Sequence, residues 1–232
     1  MFPRQNQNQF RNSNADVQFF YGAAENTTSR TTFNYNSWNK PVGASHIYMM
    51  LIGGGAGNSG SSGGGSAAVT VWYGAAQNVP DNLVLLPASI GGPGFGPNNS
   101  YVYYRGSSSS LITLLYANGT VTATGGTAMT ANQFTASGFF QSVAGANGSA
   151  GASGASTTTF LSGGSGSGSA STANYGYTNP AGAGYFQLQP IIIGVGGGGT
   201  ITTNAGKGGI GCGAGGNSSS NGGQGMILIA SW

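Results

Sequence analysis

The chain has 232 residues, of which only 4% are charged and 46 are glycine. Ordinary globular proteins carry about 25% charged residues and about 7% glycine. This chain is nevertheless 38% hydrophobic and 11% aromatic. That composition excludes a typical disordered protein, which is poor in aromatic residues and rich in charge. The net charge of +3 comes from scattered lysines and arginines, so a nucleic-acid partner, which requires clustered basic residues, is not expected.

Residues 1–34 differ in composition from the rest and predict an extended N-terminal arm. They contain many Asn and Gln residues, three of the four arginines, two of the three acidic residues and a single glycine, Gly22. Such a segment is either a disordered tail or an anchoring arm that becomes ordered on a neighbouring subunit, and its aromatic content favours the arm. Residues 17–21 are predicted to form a short strand. The predicted assembly residues of the arm are Phe2, Arg4, Phe10, Arg11, Phe19, Phe20 and Tyr21.

Residues 35–232 predict one all-β domain. Short runs rich in β-branched and aromatic residues are separated by Gly, Pro and Asn at intervals of about ten residues, a pattern typical of a sandwich or jelly roll. No stretch has a convincing helical period. We therefore expect a jelly-roll-like β-sandwich with long glycine-rich loops, preceded by the arm. The main predicted strands are 31–38, 45–52, 67–73, 83–86, 100–105, 111–116, 184–193, 200–203 and 226–232.

Several connections can also be predicted. Pro41 and Gly43 indicate a turn. Asn118-Gly119 favours a tight hairpin, with residues 120–124 as the returning strand. Residues 132–140 are predicted as a strand or a short helix, and residues 144–184 as a long exposed excursion of small residues.

The abundance of glycine requires a structural purpose, because glycine costs entropy on folding and supplies no side chain to bury. We expect short glycine-rich segments to satisfy one another's backbone amides as packed, extended strands, or to make tight connections at the ends of a sandwich. The apolar strands must then supply the hydrophobic gain, about 25 cal/mol per Å² buried. The residues predicted to contribute most to the core are Ile47, Met49, Leu51, Ile227 and Ile229.

No catalytic, cofactor or metal site is predicted. Residues 194–199 match GxGxxG, but a dinucleotide site requires a helix next and an acidic residue about twenty positions later; a β-type sequence follows, and Asp81 is the last acidic residue. His46 is the only histidine, which excludes a His-based metal cluster. Asp81 is expected to cap a turn.

Secretion and membrane insertion are not expected either. The N-terminal sequence lacks the apolar region of a signal peptide, and the longest apolar runs are about half a membrane span. Cys212 is the only cysteine, so no intrachain disulfide can form.

Aromatic side chains are the candidates for sugar binding, because aromatic faces stack on carbohydrate. Tyr101, Tyr103 and Tyr104 are possible, although alternation directs Tyr101 and Tyr103 into the core. Tyr175 and Tyr177, within the small-residue excursion, are the better candidates for a receptor surface.

Four segments together resemble the glycine-rich domain of virion structural proteins. They are SWNKPVGASHIYMMLIGGGAG (37–57), VPDNLVLLPASIGGPG (79–94), GKGGIGCGAGG (206–216) and GQGMILIASW (223–232). Such domains occur in phage tail fibres and in minor capsid or penton proteins of large DNA viruses. The resemblance covers residues 38–232; the Asn/Gln-rich arm and the fewer unbroken glycine runs depart from it. It implies a non-enzymatic β-sandwich displayed on a virus particle.

Three functions remain open at this point. The first is a penton or minor capsid component of the virion that assembles through its arm and sandwich edges with other virion proteins and with copies of itself, as a pentamer or trimer. The alternative is a phage tail-fibre tip adhesin that binds host surface glycan or protein, although no long shaft repeat is present. The third, a carbohydrate-active enzyme, is disfavoured because the paired carboxylates of a glycosidase are missing.

Overall fold

The computed structural model describes residues 15–22, 35–57, 63–89, 99–106, 110–148, 208–214 and 221–232, and the backbone of 186–188 and 191–193. The described residues form eleven strands and two short 3-10 turns, Ala76–Asn78 and Thr135–Ser137. The strands are β1 (Asp16–Tyr21), β2 (Asn36–Asn39), β3 (His46–Ile52), β4 (Val69–Ala75), β5 (Asn82–Leu86), β6 (Ser100–Arg105), β7 (Leu111–Ala117), β8 (Gly138–Val143), β9 (Phe186–Leu188), β10 (Ile191–Ile193) and β11 (Met226–Ser231).

Two antiparallel sheets make up the body of the fold. One has five strands in the order β1-β11-β3-β4-β8, and the other has four in the order β2-β5-β6-β7. Strands β9 and β10 pair separately with each other. The predicted all-β, sandwich-like fold is confirmed at this level.

The hydrophobic core lies between the two sheets. Alternate residues of β3 and β11 point into it, and Ile47, Met49, Leu51, Ile227 and Ile229 are all fully buried there, as predicted. The four-stranded sheet contributes a facing set of large apolar side chains, because its strands also alternate. That set is Trp38, Leu83, Leu85, Val102 and Leu115.

The predictions for individual turns and strands are confirmed in some places and wrong in others. The turn after Pro41 is confirmed: the N–H of Ala44 donates to the Pro41 carbonyl at 3.2 Å, and Gly43 has a positive φ of 87°. Residues 132–140 contain the 3-10 turn Thr135–Ser137 followed by the start of β8. Residues 184–193 were expected to be one strand but include the paired strands β9 and β10. Residues 200–203 lie outside the described part.

The hairpin prediction at Asn118-Gly119 is wrong. Residues 121–124 are bends, Thr120 has no regular secondary structure, and none of these residues forms a returning strand, because their backbone groups bond to glycine-containing segments. The N–H of Thr120 donates to the carbonyl of Gly54, and the carbonyl of Thr122 accepts from Gly65, each at 3.0 Å. Tertiary contacts have replaced the local turn.

Six glycine-containing segments converge at one end of the sandwich, and we call them the glycine bundle. Five of the strands in the two sheets run directly into or out of it: β3, β4, β7, β8 and β11. Much of its backbone is buried. Its segments are residues 53–57, 63–68, 118–126, 144–148, 208–214 and 221–225.

Hydrogen bonding in the glycine bundle differs from that in a sheet. A strand in a sheet has hydrogen-bonded neighbours on two sides, whereas segment 63–68 bonds to the four segments 53–57, 118–126, 144–148 and 208–214. The bonds include Ala56 N–H to Gly65 O (3.0 Å), Ala68 N–H to Asn118 O (2.8 Å), Ser66 N–H to Ala146 O (2.9 Å) and Gly64 N–H to Ala214 O (2.8 Å). The expectation that glycine segments satisfy one another's amides is thereby confirmed for these residues.

The close approach of these segments requires the absence of Cβ atoms. A Cβ on Gly145 would overlap the Ser66 carbonyl, and one on Gly213 would overlap the Gly64 carbonyl. The obstacle in each case is neighbouring backbone, which cannot rotate away as a side chain can. The glycine at these positions is therefore a packing requirement.

We predict that Gly145→Ala destabilises the protein by about 1–3 kcal/mol or more, because the added methyl group overpacks the bundle. The matched control is Gly106→Ala, where the closest atom to the new Cβ is the flexible end of Ile112, at 3.0 Å, and the nearest backbone atom is at an ordinary contact distance of 3.7 Å. Urea denaturation should detect a loss in the first variant and a change within about 0.5 kcal/mol in the second. Equal stability of both variants would contradict this account of the bundle.

The outward face of the four-stranded sheet carries stacked tyrosines. The rings of Tyr101 and Tyr103 lie 5.1 Å apart with planes 17° from parallel; both are only partly buried, so the prediction that they point into the core is wrong. The phase of β6 places Ser100 and Val102 inside instead. Burial, followed by the neighbouring hydroxyls of Tyr101 and Tyr35, raises the pKa of Tyr103 well above its usual value.

We predict that stability falls as pH rises above about 10, the ordinary tyrosine pKa. The unfolded chain loses the Tyr103 proton there while the folded chain still holds it, so the folded state is the one with more bound protons. Below about pH 10 Tyr103 is protonated in both states, so its full contribution to the unfolding free energy is present there. Tyr103→Phe removes this ionisation, and its unfolding free energy, measured by urea denaturation, should drop less than that of the unaltered chain between about pH 9 and about pH 11. Identical drops would refute the assignment.

Candidate assembly surface

The first two motif segments meet at the end of the sandwich opposite the glycine bundle, which we call the motif end. Beyond β2, the Lys40 ammonium lies 2.8 Å from the Asp81 carboxylate. It also donates to the carbonyls of Ala76 and Val79, at 3.2 and 2.8 Å. Lys40 thus holds a 3-10 turn against the start of β5. The turn-capping role expected for Asp81 is wrong, since its carboxylate pairs with Lys40 instead.

The last motif segment closes the same end. The Trp232 carbonyl accepts hydrogen bonds from the N–H groups of Ser45 and His46, at 2.7 and 3.0 Å, and from the Ser45 hydroxyl at 2.9 Å. The Ser45 hydroxyl also lies 3.0 Å from His46 Nδ1. These contacts fix the positions of two rings, those of His46 and Trp232, where β3 begins and β11 ends.

Strand β1 belongs to the predicted arm, and it is an integral edge of the five-stranded sheet. It pairs with β11 from Asp16 opposite Ser231 to Tyr21 opposite Met226, which confirms the strand predicted for residues 17–21. Just beyond it, the N–H of Gly22 donates to the Gly225 carbonyl at 3.1 Å. Within the described part of the chain no strand pairs with the other side of β1, and such an edge is a template for pairing with another chain.

Three of the seven predicted assembly residues lie in β1. Phe20 packs against the sandwich core, Phe19 packs against the opposite side of the sheet, and Tyr21 is 51% exposed. The rings of Phe19 and Tyr21 lie 6.3 Å apart and are nearly parallel. The other predicted site residues lie outside the described residues: Phe2, Arg4, Phe10, Arg11, Tyr175 and Tyr177.

The side of the five-stranded sheet that faces away from the four-stranded sheet, which we call the outer face, is almost wholly apolar. Strand register places one amide side chain, Gln141, and no Asp, Glu, Lys or Arg on its described positions. The half near the glycine bundle is buried on its three central strands, β3, β4 and β11. Its buried side chains are Met50, Ile52, Val69, Val71, Met226 and Leu228.

The half of the outer face at the motif end is exposed. Phe139 is 59% exposed, Val17 48%, Trp232 41% and Tyr73 37%. Apolar side chains exposed singly are ordinary, but a contiguous exposed apolar area marks an interaction surface. This exposed area is therefore the candidate assembly surface.

Aromatic rings dominate this surface, and we call His46, Tyr73, Phe139 and Trp232 the aromatic patch. The centroids of His46, Tyr73 and Trp232 lie 5.7–6.1 Å apart, with planes 12–18° from parallel. Each of these three rings is about equally distant from the other two, so they form a triangle and not a column. Phe139 lies opposite Tyr73 on β8 and extends the patch to the sheet edge.

Tyr48 lies between the buried and exposed halves of the outer face, opposite Tyr73 on β4 and Ala230 on β11. Burial raises the pKa of its hydroxyl. The phenol therefore stays neutral beyond the ordinary tyrosine pKa of about 10, so this position adds no charge to the surface.

The chemically reactive side chains are scattered. No group of three or more His, Cys, Asp or Glu side chains in the described residues is placed to hold a metal ion. Cys212 is buried within the glycine bundle, and Asp81 is occupied by its ion pair. The GxGxxG match at 194–199 lies outside the described residues. None of the helical segments described is long and apolar enough to cross a bilayer.

We predict that deleting residues 1–21 lowers the unfolding free energy by more than the roughly 1–2 kcal/mol that partial burial of Phe20 contributes. The deletion also uncovers the β11 edge, so aggregation should increase. Deleting only residues 1–14 is the control, because it leaves every described contact of β1 in place. Thermal melting and light scattering measure both effects, and equal behaviour of the two truncations would contradict a structural role for β1.

Comparison with protein-family profiles and with curated proteins finds no match to this chain. The function therefore has to be argued from the surfaces of the molecule.

Proposed function

We propose that this protein is a non-enzymatic structural subunit of a virus particle, a penton or minor capsid component built on a jelly-roll-like sandwich with long glycine-rich loops. It assembles through its arm and sandwich edges with copies of itself and with other virion proteins. The observation that carries the proposal is the exposed, uncharged half of the outer face. The sequence resemblance to glycine-rich virion domains supplies the biological setting.

Leaving such an apolar surface in water carries a free-energy cost. Phe139, Trp232, Val17 and Tyr73 each keep more than a third of their surface exposed, and each Å² of apolar surface buried by a partner contributes about 25 cal/mol. A chain with 4% charged residues also has few charges to keep it apart from its neighbours. Both properties suit a subunit whose neighbours cover it.

The open edge of β1 adds directional contacts to this apolar surface. An edge strand can extend a sheet across a subunit boundary, with backbone hydrogen bonds that fix the register. Val17 and Tyr21 lie on this edge strand and on the outer face. Edge and face together would therefore meet one partner, which favours a ring of identical subunits.

A tail-fibre tip adhesin is the second candidate function, and the aromatic patch favours it. Near-parallel exposed rings such as Tyr73 and Trp232 can stack on a glycan or on protein side chains. In this case the outer face would contact the host surface and not a neighbouring subunit.

We predict that the full chain is a pentamer or trimer in solution and that Phe139→Lys weakens its self-association at least about tenfold, since a buried interface charge without a partner costs more than 1.4 kcal/mol. Val42→Lys is the matched control, because Val42 is a fully exposed apolar residue in the turn outside the sheet. Mass photometry over a dilution series gives the assembly state. A monomeric parent chain, or equal effects of both variants, would overturn assembly through the outer face.

The position in the particle can be tested separately by gold labelling of virions with antibodies against this chain. Label at capsid vertices supports the penton or minor capsid role, and label at tail ends supports the adhesin. Particles without label would overturn the virion assignment.

A further inference from the structure

A cleft of about 390 Å³ lies beside the core, towards the motif end. Its walls come from the 3-10 turn Thr135–Ser137 with the residues just before it, from β6 and β7, and from the last residue of the other 3-10 turn, Asn78. This volume is at the small end of the range for ligand pockets, about 300–1,000 Å³. No residue of the candidate assembly surface lines this cleft.

A β-bulge shapes one wall of the cleft. Val102 pairs with Leu115 and Tyr103 pairs with Thr113, so Leu114 has no partner on β6. Bulges redirect side chains and occur frequently beside binding sites. Here the bulge brings both Thr113 and Leu114 into the lining of the cleft.

Side-chain hydrogen bonds hold the other walls in place. The Asn132 amide donates to the Leu114 carbonyl at 3.0 Å, which ties the turn to the bulge. Asn132 and Thr135 also cap each other, through Thr135 N–H to Asn132 Oδ1 (3.0 Å) and Asn132 N–H to Thr135 Oγ1 (2.9 Å). The Asn78 amide donates to the Ser137 carbonyl at 3.0 Å. A cleft fixed in this way loses little entropy when a ligand binds.

The lining combines aromatic rings with neutral hydrogen-bonding groups. Phe134 and Tyr104 supply the rings, and Phe134 is supported from behind by Trp72, whose ring centroid lies 4.8 Å away. In the part of the chain that the structure describes, the Gln133 amide and the hydroxyls of Tyr104 and Thr113 form no hydrogen bond. Among the residues with described side chains, no Asp, Glu, Lys or Arg lines the cleft.

We propose that this cleft binds neutral carbohydrate, one or two pyranose units of a glycan. A pyranose ring has apolar C–H faces that suit Phe134 and Tyr104, and hydroxyl groups that suit the free donors and acceptors of Gln133 and Thr113. The uncharged lining supplies nothing to pair with the charge of a phosphorylated or sialylated sugar. The inference does not depend on the proposed virion role, since it uses none of the residues assigned to assembly.

The test uses the full chain with three neutral disaccharides, lactose, maltose and cellobiose, and with sialyllactose as the charged comparison. Saturation-transfer NMR and calorimetric titration should detect at least one neutral sugar. Gln133→Ala and Thr113→Val should each weaken its binding about two- to tenfold, as expected for the loss of one hydrogen bond. The control Trp232→Ala, in the aromatic patch, should leave the affinity unchanged.

Two results would overturn the proposal: no binding of any neutral disaccharide, or binding that Trp232→Ala abolishes while Gln133→Ala and Thr113→Val do not change it. Circular dichroism establishes that each variant is folded, and Tyr104→Phe, which removes only a hydroxyl, replaces any variant that is not. Mass photometry on the Gln133, Thr113 and Tyr104 variants should show an unchanged assembly state. If the chain binds sugar but does not self-associate, the proposal for the cleft is supported and the assembly proposal is refuted.

Discussion

The close packing of backbone in the glycine bundle is the constraint on which the rest of the structure depends. Each segment satisfies its amides on several neighbours, as segment 63–68 does on four others, and Gly145 and Gly213 have no room for a Cβ. Glycine alone would not hold this arrangement, because it buries no side chain and costs backbone entropy. The apolar strands compensate, because the four residues of β3, β4 and β11 nearest the bundle are buried in each strand. The register between these strands fixes the spacing of the glycine segments that adjoin them.

The two ends of the sandwich consequently have different chemistry. At the bundle end, backbone groups are satisfied internally and few side chains project. At the motif end, side chains make more of the connecting contacts. Lys40 forms an ion pair with Asp81 and a hydrogen bond with the turn at Ala76–Asn78. The Trp232 carbonyl accepts hydrogen bonds from the N–H groups of Ser45 and His46. The aromatic patch and the cleft both lie towards this end. Surfaces able to recognise another molecule are therefore concentrated where the sequence keeps its larger side chains.

Strand positions and the central core could be predicted from the sequence, because alternation of apolar residues is a local signal: Ile47 and Ile229 are both buried as expected. Interactions between distant segments could not. Residues 120–124 follow a good hairpin signal, yet the glycine bundle takes their hydrogen bonds. The phase of β6, which turns Tyr103 outwards, and the extra residue Leu114 in β7 depend on one-residue shifts in register that reverse which side a residue faces. For this reason the cleft cannot be predicted from the sequence, although Tyr104 is among the sugar-binding candidates there.

The shortage of charge also determines what kind of recognition this surface can perform. Because no Asp, Glu, Lys or Arg lies on the described outer face or among the described residues that line the cleft, neither surface supplies a charge of its own to attract a partner. Specificity must come from shape, apolar contact and neutral hydrogen bonds. A broad apolar face such as that around Phe139 suits a protein partner, since the area covered is large and needs no individual polar match. A small cleft with free amide and hydroxyl groups at Gln133 and Thr113 suits a ligand that carries many hydroxyls in a fixed geometry. One molecule with few charged residues can thus present two surfaces that do not compete for the same partner.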